Sequence, residues 1–134
     1  MRFSTKTTYG LRALFHVAKA WPDGHVAISH IAQAEKLSAA YLERLFARLK
    51  KAKIITATQG VNGGYQLSVA PNQLTIYQVI AALEGQSDFF YCWLKDDKIY
   101  CKGGCACGVN DAMRKIDSAI NNSLSAITLD KLIA

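Results

Sequence analysis

The side chains best suited to chemistry in this 134-residue sequence are four cysteines that all lie between positions 92 and 107. They follow the spacing C-x8-C-x3-C-x-C in a glycine-containing stretch and are Cys92, Cys101, Cys105 and Cys107. Reduced structural cysteines are usually buried singly among apolar residues, whereas grouped thiolates are suited to zinc or to an iron–sulfur cluster. The spacing lacks the paired CxxC of a zinc ribbon, so it favours an iron–sulfur cluster over zinc.

Disulfide bonds are another use of clustered cysteines, and they suit secreted chains better than this one. The N-terminal residues include Arg2, Lys6 and Arg12 with no unbroken apolar run after them, which is not the pattern of a secretion signal. No segment approaches the roughly 20 apolar residues that span a bilayer. We therefore expect a cytoplasmic protein that has no membrane partner and whose thiols stay reduced.

Charge is distributed unevenly along the chain. Residues 1–70 contain ten Lys or Arg and three Asp or Glu, whereas residues 71–134 contain six and seven. A basic half beside a nearly neutral half indicates a polyanion partner for the first half and a different role for the second. Charge alone fits equally well with lysines that only keep the surface soluble.

The first half has the element order of a winged helix-turn-helix. Ser4 and Ser38 are typical helix N-caps, as is Ser29. The pattern predicts helices from Ser4 to about Ala20, from Ser29 to about Lys36 and from Ala39 to about Ala52, with a short bridging strand at 26–28. The helix-turn-helix then spans about 28–52, and a hairpin of strands 54–58 and 65–68 around a glycine-rich turn forms the wing.

The second half begins with a helix that Thr75 and Gln78 start with capping-box spacing, and that Gly85 ends. Residues 86–108 show no clear periodicity and hold the cysteines. A long helix from about Val109 to Ala126 carries an apolar stripe, which packs either on a second subunit or on its own domain. The predicted fold is mainly α with a small β-hairpin wing, divided into a DNA-binding domain 1–85, a cysteine-rich loop 86–108 and a dimerisation segment 109–134.

The helix at 39–52 is the predicted recognition helix, since its N-terminal residues are placed to meet base edges in the major groove. Glu43 can accept a hydrogen bond from a cytosine amino group, and Arg44 and Arg48 can bind phosphates or guanine edges. Lysines 50, 51 and 53 are expected phosphate contacts. The predicted DNA-binding residues are Ser38, Ala39, Tyr41, Glu43, Arg44, Arg48, Lys51 and, in the wing, Gln59, Asn62 and Gly63.

The whole chain resembles the Rrf-type transcription regulators, the family that includes IscR, NsrR and CymR. The resemblance is carried by residues 1–6, 41–49, 62–67 and 127–132. It implies a homodimer joined by the long C-terminal helix, which binds palindromic double-stranded promoter DNA. In the cluster-binding branches it also implies a three-cysteine site for a [2Fe–2S] or, less favoured here, a [4Fe–4S] cluster.

By position, the resemblance assigns the three cluster ligands to Cys92, Cys101 and Cys107. The gap between Cys92 and Cys101 is longer than the family pattern, and Cys105 is an additional cysteine that can serve as the fourth ligand or as a reactive thiol. The IscR branch places a histidine where this chain has Asn110, and some relatives place an acidic ligand where it has Thr8. Gln59 occupies a wing position where IscR-like proteins often have arginine, which indicates a different DNA preference.

Together these patterns predict a repressor whose promoter affinity is set by an iron–sulfur cluster that senses redox state, iron or nitric oxide. Two alternatives remain: a cluster-free regulator of cysteine metabolism controlled by a thiol or a partner enzyme, and a thiol redox or metal-carrier protein. We do not expect an enzyme, because His16, His25 and His30 are isolated in the sequence and no catalytic constellation accompanies them. Arg48→Ala is expected to weaken binding to all DNA sequences and to lower its salt dependence.

Overall fold

The computed structural model describes residues 4–85, 93–95, 98–100 and 110–133. The four cysteines lie outside these ranges. Across the described ranges, none of the helices combines the length and the apolar character that crossing a membrane requires. The described residues form six α-helices, α1 to α6, and two antiparallel strand pairs, in the order α1 (Thr5–Lys19), α2 (Ile28–Glu35), α3 (Ala39–Lys51), β1 (Ile55–Thr58), β2 (Gly64–Leu67), α4 (Ile76–Glu84), β3 (Trp93–Lys95), β4 (Lys98–Tyr100), α5 (Asn110–Ala126) and α6 (Asp130–Ile133).

Two of the predicted serine caps are confirmed. The Ser4 side chain accepts a hydrogen bond from the Lys6 amide at 3.2 Å at the start of α1. Ser38 does the same for the Tyr41 amide at 3.1 Å at the start of α3. Each cap satisfies an amide that has no partner within the helix, which typically stabilises a helix by about 1 kcal/mol.

The predicted cap of α2 is wrong, because this helix begins before Ser29. Its N-cap is Ala27, which makes no side-chain capping bond, and Ser29 lies in the first turn. The physical reason is a two-way backbone bridge between Val26 and Tyr65, with N···O distances of 2.9 and 2.8 Å. This bridge holds the chain extended up to Ala27, and the helix starts immediately after it.

The turn between α2 and α3 is built without glycine. Lys36 adopts the left-handed conformation with φ of 56°. The next amide, that of Leu37, donates to the Ala32 carbonyl at 3.0 Å, which closes the end of α2. Ser38 then starts α3 directly, so the helix-turn-helix geometry is fixed by two adjacent caps.

The predicted wing is present: β1 starts one residue later than expected and ends as expected, and β2 lies one residue earlier than expected. β1 and β2 pair in antiparallel register from Ile55 opposite Leu67 to Thr58 opposite Gly64. The bridge from Val26 to Tyr65 adds the expected short strand beside β2. Phe46 of α3 packs edge-on against the Tyr65 ring, with 4.8 Å between ring centroids, so the recognition helix and the wing form one unit.

The hydrophobic core joins α1, α3, β1 and α4. Gly10 allows α1 and α4 to pack closely, since a methyl group there would lie 2.4 Å from a Leu83 side-chain carbon. The fully buried large side chains come from every element around this core and are Leu14, Val17, Ile31, Leu42, Phe46, Leu49, Ile55, Val79, Leu83 and Leu129.

The capping box that opens α4 is confirmed in both directions, between Thr75 and Gln78. After α5, the chain returns to this point, where Thr128 forms an antiparallel bridge with Thr75. Two backbone bonds of 2.8 Å fix the bridge, and Leu129 becomes fully buried. The sequence patterns predict neither this closure nor α6, nor the pairing of β3 with β4 within residues 86–108.

Helix α5 starts at Asn110, one residue after the predicted start, and ends at Ala126 as predicted. Part of its predicted apolar stripe remains accessible. Ile116 is 46% exposed, and Ile127, just after the helix, is 43% exposed, whereas Leu124 packs against the core. The helix therefore packs partly on its own chain and leaves apolar side chains available to a partner.

Candidate nucleic-acid interface

Helix α3 has one face buried in the core and the opposite face open to solvent. Four of its side chains are buried: Leu42, Leu45, Phe46 and Leu49. At 3.6 residues per turn, the positions directly opposite are Ala40, Arg44, Ala47 and Lys51, all of which are exposed. We call these four residues the outer stripe. Its two alanines let the helix approach a surface closely, while its two cations favour an anionic one.

Arg44 is positioned by aromatic side chains beneath it. Its guanidinium carbon lies 5.9 Å from the centroid of the Tyr41 ring, within the range of a cation–π contact. Tyr41 in turn packs edge-on against Tyr9 of α1, with ring centroids 6.1 Å apart. This stack holds one side of the Arg44 guanidinium group and leaves its charge on the solvent-exposed face of α3.

Glu43 is an exposed acid on the flank of α3 that faces the wing. Burial raises the pKa of the Tyr65 hydroxyl, and the negative charge of Glu43 raises it further. Tyr65 therefore stays protonated and neutral. A lone carboxylate at this position suits base readout better than phosphate binding, since a phosphate would be repelled.

Arg48 lies on the other flank of α3, where the structure gives it a partner that the sequence did not reveal. Its Nη1 donates a hydrogen bond of 2.9 Å to the backbone carbonyl of Leu83, in the last turn of α4. The side chain as a whole remains exposed. Arg48 thus links the recognition helix to the end of α4, in addition to adding positive charge beside the outer stripe.

The last turn of α4 is also tied to the start of α1. Ser4 and Thr7 both donate their hydroxyl groups to the same Glu84 carboxylate oxygen. Burial raises the pKa of Glu84, but these hydrogen bonds and the charge of Lys6 outweigh burial, and the net pKa is lowered. An ionised Glu84 therefore holds α1 and α4 together directly before Gly85, where the cysteine-bearing segment begins.

The wing tip exposes three side chains on a turn shaped by glycine. Gln59, Val61 and Asn62 are all exposed, and Gly60 between them has φ of +109°. Gly63 has a structural role besides the predicted DNA contact, because a methyl group there would lie 2.1 Å from the Thr58 carbonyl oxygen. The turn is thus closed tightly enough to project its tip away from the core.

The histidines are less isolated than the sequence indicated. His16 forms a 2.7 Å contact with the Glu35 carboxylate, and Arg12 forms an ion pair of the same length with its other oxygen. His30 packs edge-on against His16. The hydrogen bond with His16 lowers the pKa of Glu35, burial opposes this, and Arg12 lowers it further. This cluster joins α1 to α2, and no local sequence pattern could have indicated it, since the partners are far apart in the chain.

The structure brings the predicted DNA-binding residues of α3 and of the wing onto one connected unit. The predicted cluster ligands Cys92, Cys101, Cys105 and Cys107 lie outside the described residues. Among the residues that are described, no group of three or more His, Cys, Asp or Glu side chains could hold a metal ion. The described part of the chain therefore places the predicted DNA-binding residues on one surface unit, whereas the predicted metal ligands lie outside it.

Comparison with known proteins identifies the family. Residues 3–134 match the model of the family described as "Rrf2: Iron-dependent Transcriptional regulator". The chain is 35% identical over 133 residues to the HTH-type transcriptional regulator IscR of Photobacterium profundum, covering 99% of this chain and 76% of that protein.

Two solved structures have the same fold. CymR, the global cysteine regulator of B. subtilis, superposes with a TM-score of 0.77 at 29% identity, covering 98% of this chain and 95% of CymR. IscR of T. potens gives a TM-score of 0.76 at 29% identity, covering 99% of this chain and 86% of that one. The chain therefore belongs to the Rrf2 family of winged-helix transcription regulators and is not an enzyme.

Proposed function

We propose that this protein is a cytoplasmic repressor that binds palindromic promoter DNA as a homodimer, with an affinity controlled by an iron–sulfur cluster. The observation that carries the DNA-binding part is the outer stripe of α3, which presents Arg44 and Lys51 between small side chains. The wing lies on the same rigid unit. This arrangement matches a recognition helix seated in the major groove with the hairpin beside it.

Six of the predicted DNA-binding residues, all on α3 or at its N-cap, have a direct role in this proposal. Ser38 and Ala39 lie at the helix N-terminus, where free amide groups and small side chains suit close approach to the DNA. Glu43 accepts from a cytosine amino group and Arg44 meets a guanine edge. Lys51, Arg48 and the neighbouring lysines 50 and 53 contact phosphates, which adds affinity that depends on salt.

The homodimer is supported by accessible apolar side chains on α5 and directly after it. Ile116 and Ile127 are both more than two-fifths exposed. An isologous interface buries such a stripe against its own copy. Two recognition helices related by a two-fold axis then meet two half-sites of a palindrome, as in other helix-turn-helix dimers.

The cluster is supported by the chemistry of the donor set. Four thiols lie within one short stretch, and thiolates are the ligands that iron–sulfur clusters take most often. We assign Cys92, Cys101 and Cys107 as ligands and Cys105 as the fourth, for a [2Fe–2S] cluster in preference to [4Fe–4S] or zinc. The long gap in the spacing contains β3 and β4, whose terminal pair is Trp93 and Tyr100. When bound, such a group supplies sensitivity to oxidants, nitric oxide and iron supply.

The described residues offer a mechanical connection between the cysteine segment and the DNA site. The segment starts after Gly85, and the residues just before it are bonded to α3 through Arg48 and to α1 through Glu84. A shift of this end of α4 therefore moves the recognition helix. DNA affinity changes if the two positions of α4 differ in how well they bind DNA.

A cluster-free regulator is the second candidate, and the CymR-like fold is the observation that favours it. In that case a thiol or a partner enzyme would replace the cluster as the sensor. The third alternative from the sequence, a thiol redox or metal-carrier protein, is not supported, because the family is one of transcription regulators.

The test is to purify the protein anaerobically and to record its visible spectrum with iron and sulfide quantified per subunit. Promoter binding is then measured with and without the cluster. Visible cluster bands and a change in DNA affinity on cluster removal are the expected results. A protein that binds DNA equally well with no iron or sulfide would refute cluster control and favour the thiol-based regulator.

A further inference from the structure

A cavity of about 460 Å³ lies at the corner where the end of α1 meets the start of α2. The polar side chains around it are positively charged or become so when protonated, and they are His16, Lys19, His25 and His30. Val26 and Ala27 form part of its wall, and none of the described residues that line it is acidic. We call this site the histidine cavity. Its volume falls within the range of sites that hold small molecules.

The corner is shaped by the backbone on both sides of the cavity. After α1, the Gly24 amide donates to the Ala20 carbonyl at 2.8 Å, and a methyl group at Gly24 would lie 2.9 Å from that oxygen. The turn therefore folds back tightly and brings His25 to the same cavity as the end of α1. Before α2, the bridge between Val26 and Tyr65 holds the chain extended until the helix starts.

The start of α2 adds backbone donors at this corner. Because its N-cap Ala27 makes no side-chain capping bond, the amides of Ile28 and Ser29 have no partner within the helix. Uncapped amides and the positive end of the helix dipole both favour an anion. The helix end and the side chains of the histidine cavity thus favour the same kind of ligand.

Two of the cavity side chains are held by aromatic neighbours. The Nζ atom of Lys19 lies 5.3 Å from the centroid of the Phe15 ring, and the lysine remains exposed. His16 is half-buried and packs edge-on against His30, with ring centroids 6.5 Å apart. Positive charges this close repel each other, and a bound anion offsets that repulsion.

Glu35 determines how His16 can meet a ligand. The hydrogen bond with His16 lowers the pKa of Glu35, burial opposes this, and Arg12 lowers it further, so Glu35 is ionised at neutral pH. An ionised carboxylate only accepts, so His16 donates to it from Nε2 across the 2.7 Å contact. The Nδ1 atom is then left for a ligand, and it donates only when the ring is protonated. Binding of an anion at His16 is therefore coupled to uptake of a proton.

We propose that the histidine cavity binds a small oxyanion of the phosphate type, either inorganic phosphate or the phosphate group of a compact metabolite. Several positive or protonatable groups around one cavity suit a doubly charged anion better than a single carboxylate. The charged and titratable groups around His16 come from α1, from α2 and from the turn between them, and they are Arg12, Lys19, His25, His30 and Glu35. Of these only Glu35 is negative, and the ion pair with Arg12 at 2.7 Å offsets its charge.

The test is an NMR titration of the isotopically labelled protein with inorganic phosphate, glycerol phosphate and sulfate, each compared with chloride at equal ionic strength. We expect saturable shifts of the Ile28 and Ser29 amides and of the cavity imidazoles with the oxyanions and not with chloride. Whichever of the two phosphates binds more tightly identifies the source of the phosphate group. Because sulfate keeps its double charge, its affinity should rise by roughly tenfold when pH is lowered from about 8 to about 6, as His16 takes up its proton.

The variants remove donors from the cavity and leave the predicted DNA-binding residues unchanged. Lys19→Gln and His25→Gln alter exposed positions, and each should weaken phosphate affinity by about fivefold or more. Lys131→Gln is the matched control, because it removes the same charge from an exposed position of α6 outside the cavity, and it should leave phosphate affinity unchanged. Thermal unfolding checks that each variant folds.

The outcomes separate this inference from the proposed function. Equal shifts with phosphate and chloride, or an equal loss of affinity in Lys131→Gln, would refute the site, since either would show only general screening of charge. A sulfate affinity that does not depend on pH would contradict the role given to His16. Displacement of phosphate from the cavity by duplex DNA would overturn the inference, because the cavity would then be a DNA contact. A protein that binds phosphate here but no duplex would refute the proposed function and leave this inference standing.

Discussion

A single substitution, Arg48→Ala, tests both how the recognition helix is held in place and how it binds DNA. The side chain is exposed and donates from Nη1 to the Leu83 carbonyl at 2.9 Å. If Arg48 also contacts one phosphate per subunit, its removal lowers the slope of log affinity against log salt by about 0.9 per subunit. When salt is raised from 50 to 200 mM, the DNA affinity of the variant should therefore fall by roughly 3.5-fold less than that of the wild type if one phosphate contact is lost. If a dimer loses two contacts, the difference is about 12-fold.

The stability effect of the same change is worked from the hydrogen bond. A typical intramolecular hydrogen bond contributes about 0.5–1.5 kcal/mol. Because Arg48 is exposed, water screens its charge, and we expect a value near the lower end of this range. For a domain of this size, the melting temperature is then expected to fall by about 2–5 °C. Lys51→Ala is the control, because Lys51 lies on the outer stripe and should change the salt slope without this loss of stability.

The assay is DNA binding by fluorescence anisotropy over a series of salt concentrations, combined with thermal unfolding. A lower melting temperature with an unchanged slope would show that Arg48 positions α3 and does not bind phosphate. If neither quantity changed, the reasoning about both the contact with Leu83 and the role of positive charge would be refuted.

Three further predictions concern stability and assembly. Because the pKa of Glu84 is lowered, its ionised form stabilises the fold above the unfolded pKa near 4.5, and this stability is lost as pH falls through the folded pKa. In Glu84→Gln the melting temperature should therefore fall less steeply at acid pH, and an unchanged pH dependence would contradict this. Gly63→Ala should destabilise the wing by about 1–3 kcal/mol through contact with a backbone oxygen, measured by urea unfolding, whereas an unchanged midpoint would show that the turn adapts. Ile116→Asp should shift the protein toward monomer in analytical ultracentrifugation while Ser123→Asp should not, and equal behaviour of the two would place the dimer contact elsewhere.

The sequence was sufficient for those parts of the fold that local chemistry determines. Ser4 and Ser38 were identified because a serine before an apolar helical repeat satisfies free amide groups, which depends on few neighbours. The wing followed from β-branched residues on both sides of a glycine-rich turn. The same local reasoning misplaced the start of α2. Its position is set by the backbone bridge between Val26 and Tyr65, whose partners lie far apart in the sequence.

The contacts that connect the candidate site to the rest of the protein could not be predicted. Arg48 was expected at the DNA for its charge, but its bond to Leu83 depends on how α3 and α4 pack, which no spacing reveals. Glu84 carried no signal either, since its partners Ser4 and Thr7 are at the other end of the domain. Such bonds arise from tertiary structure: the bond of Arg48 ties the end of α4 to α3, and the bonds of Glu84 tie it to α1.

The return of the chain to Thr75 after α5 means that the DNA-binding half cannot be cut from the rest. Leu129 fills the centre of a core that is otherwise made by residues 13–83, so a protein shortened to its first 85 residues would have a hole there. Removing a buried leucine side chain commonly costs about 2–5 kcal/mol, a large share of the stability of a small domain. Gly85, after which the cysteine segment begins, and Leu129, which follows α5, therefore belong to one folding unit. The residues between them cannot be separated from the DNA-binding elements without loss of core packing.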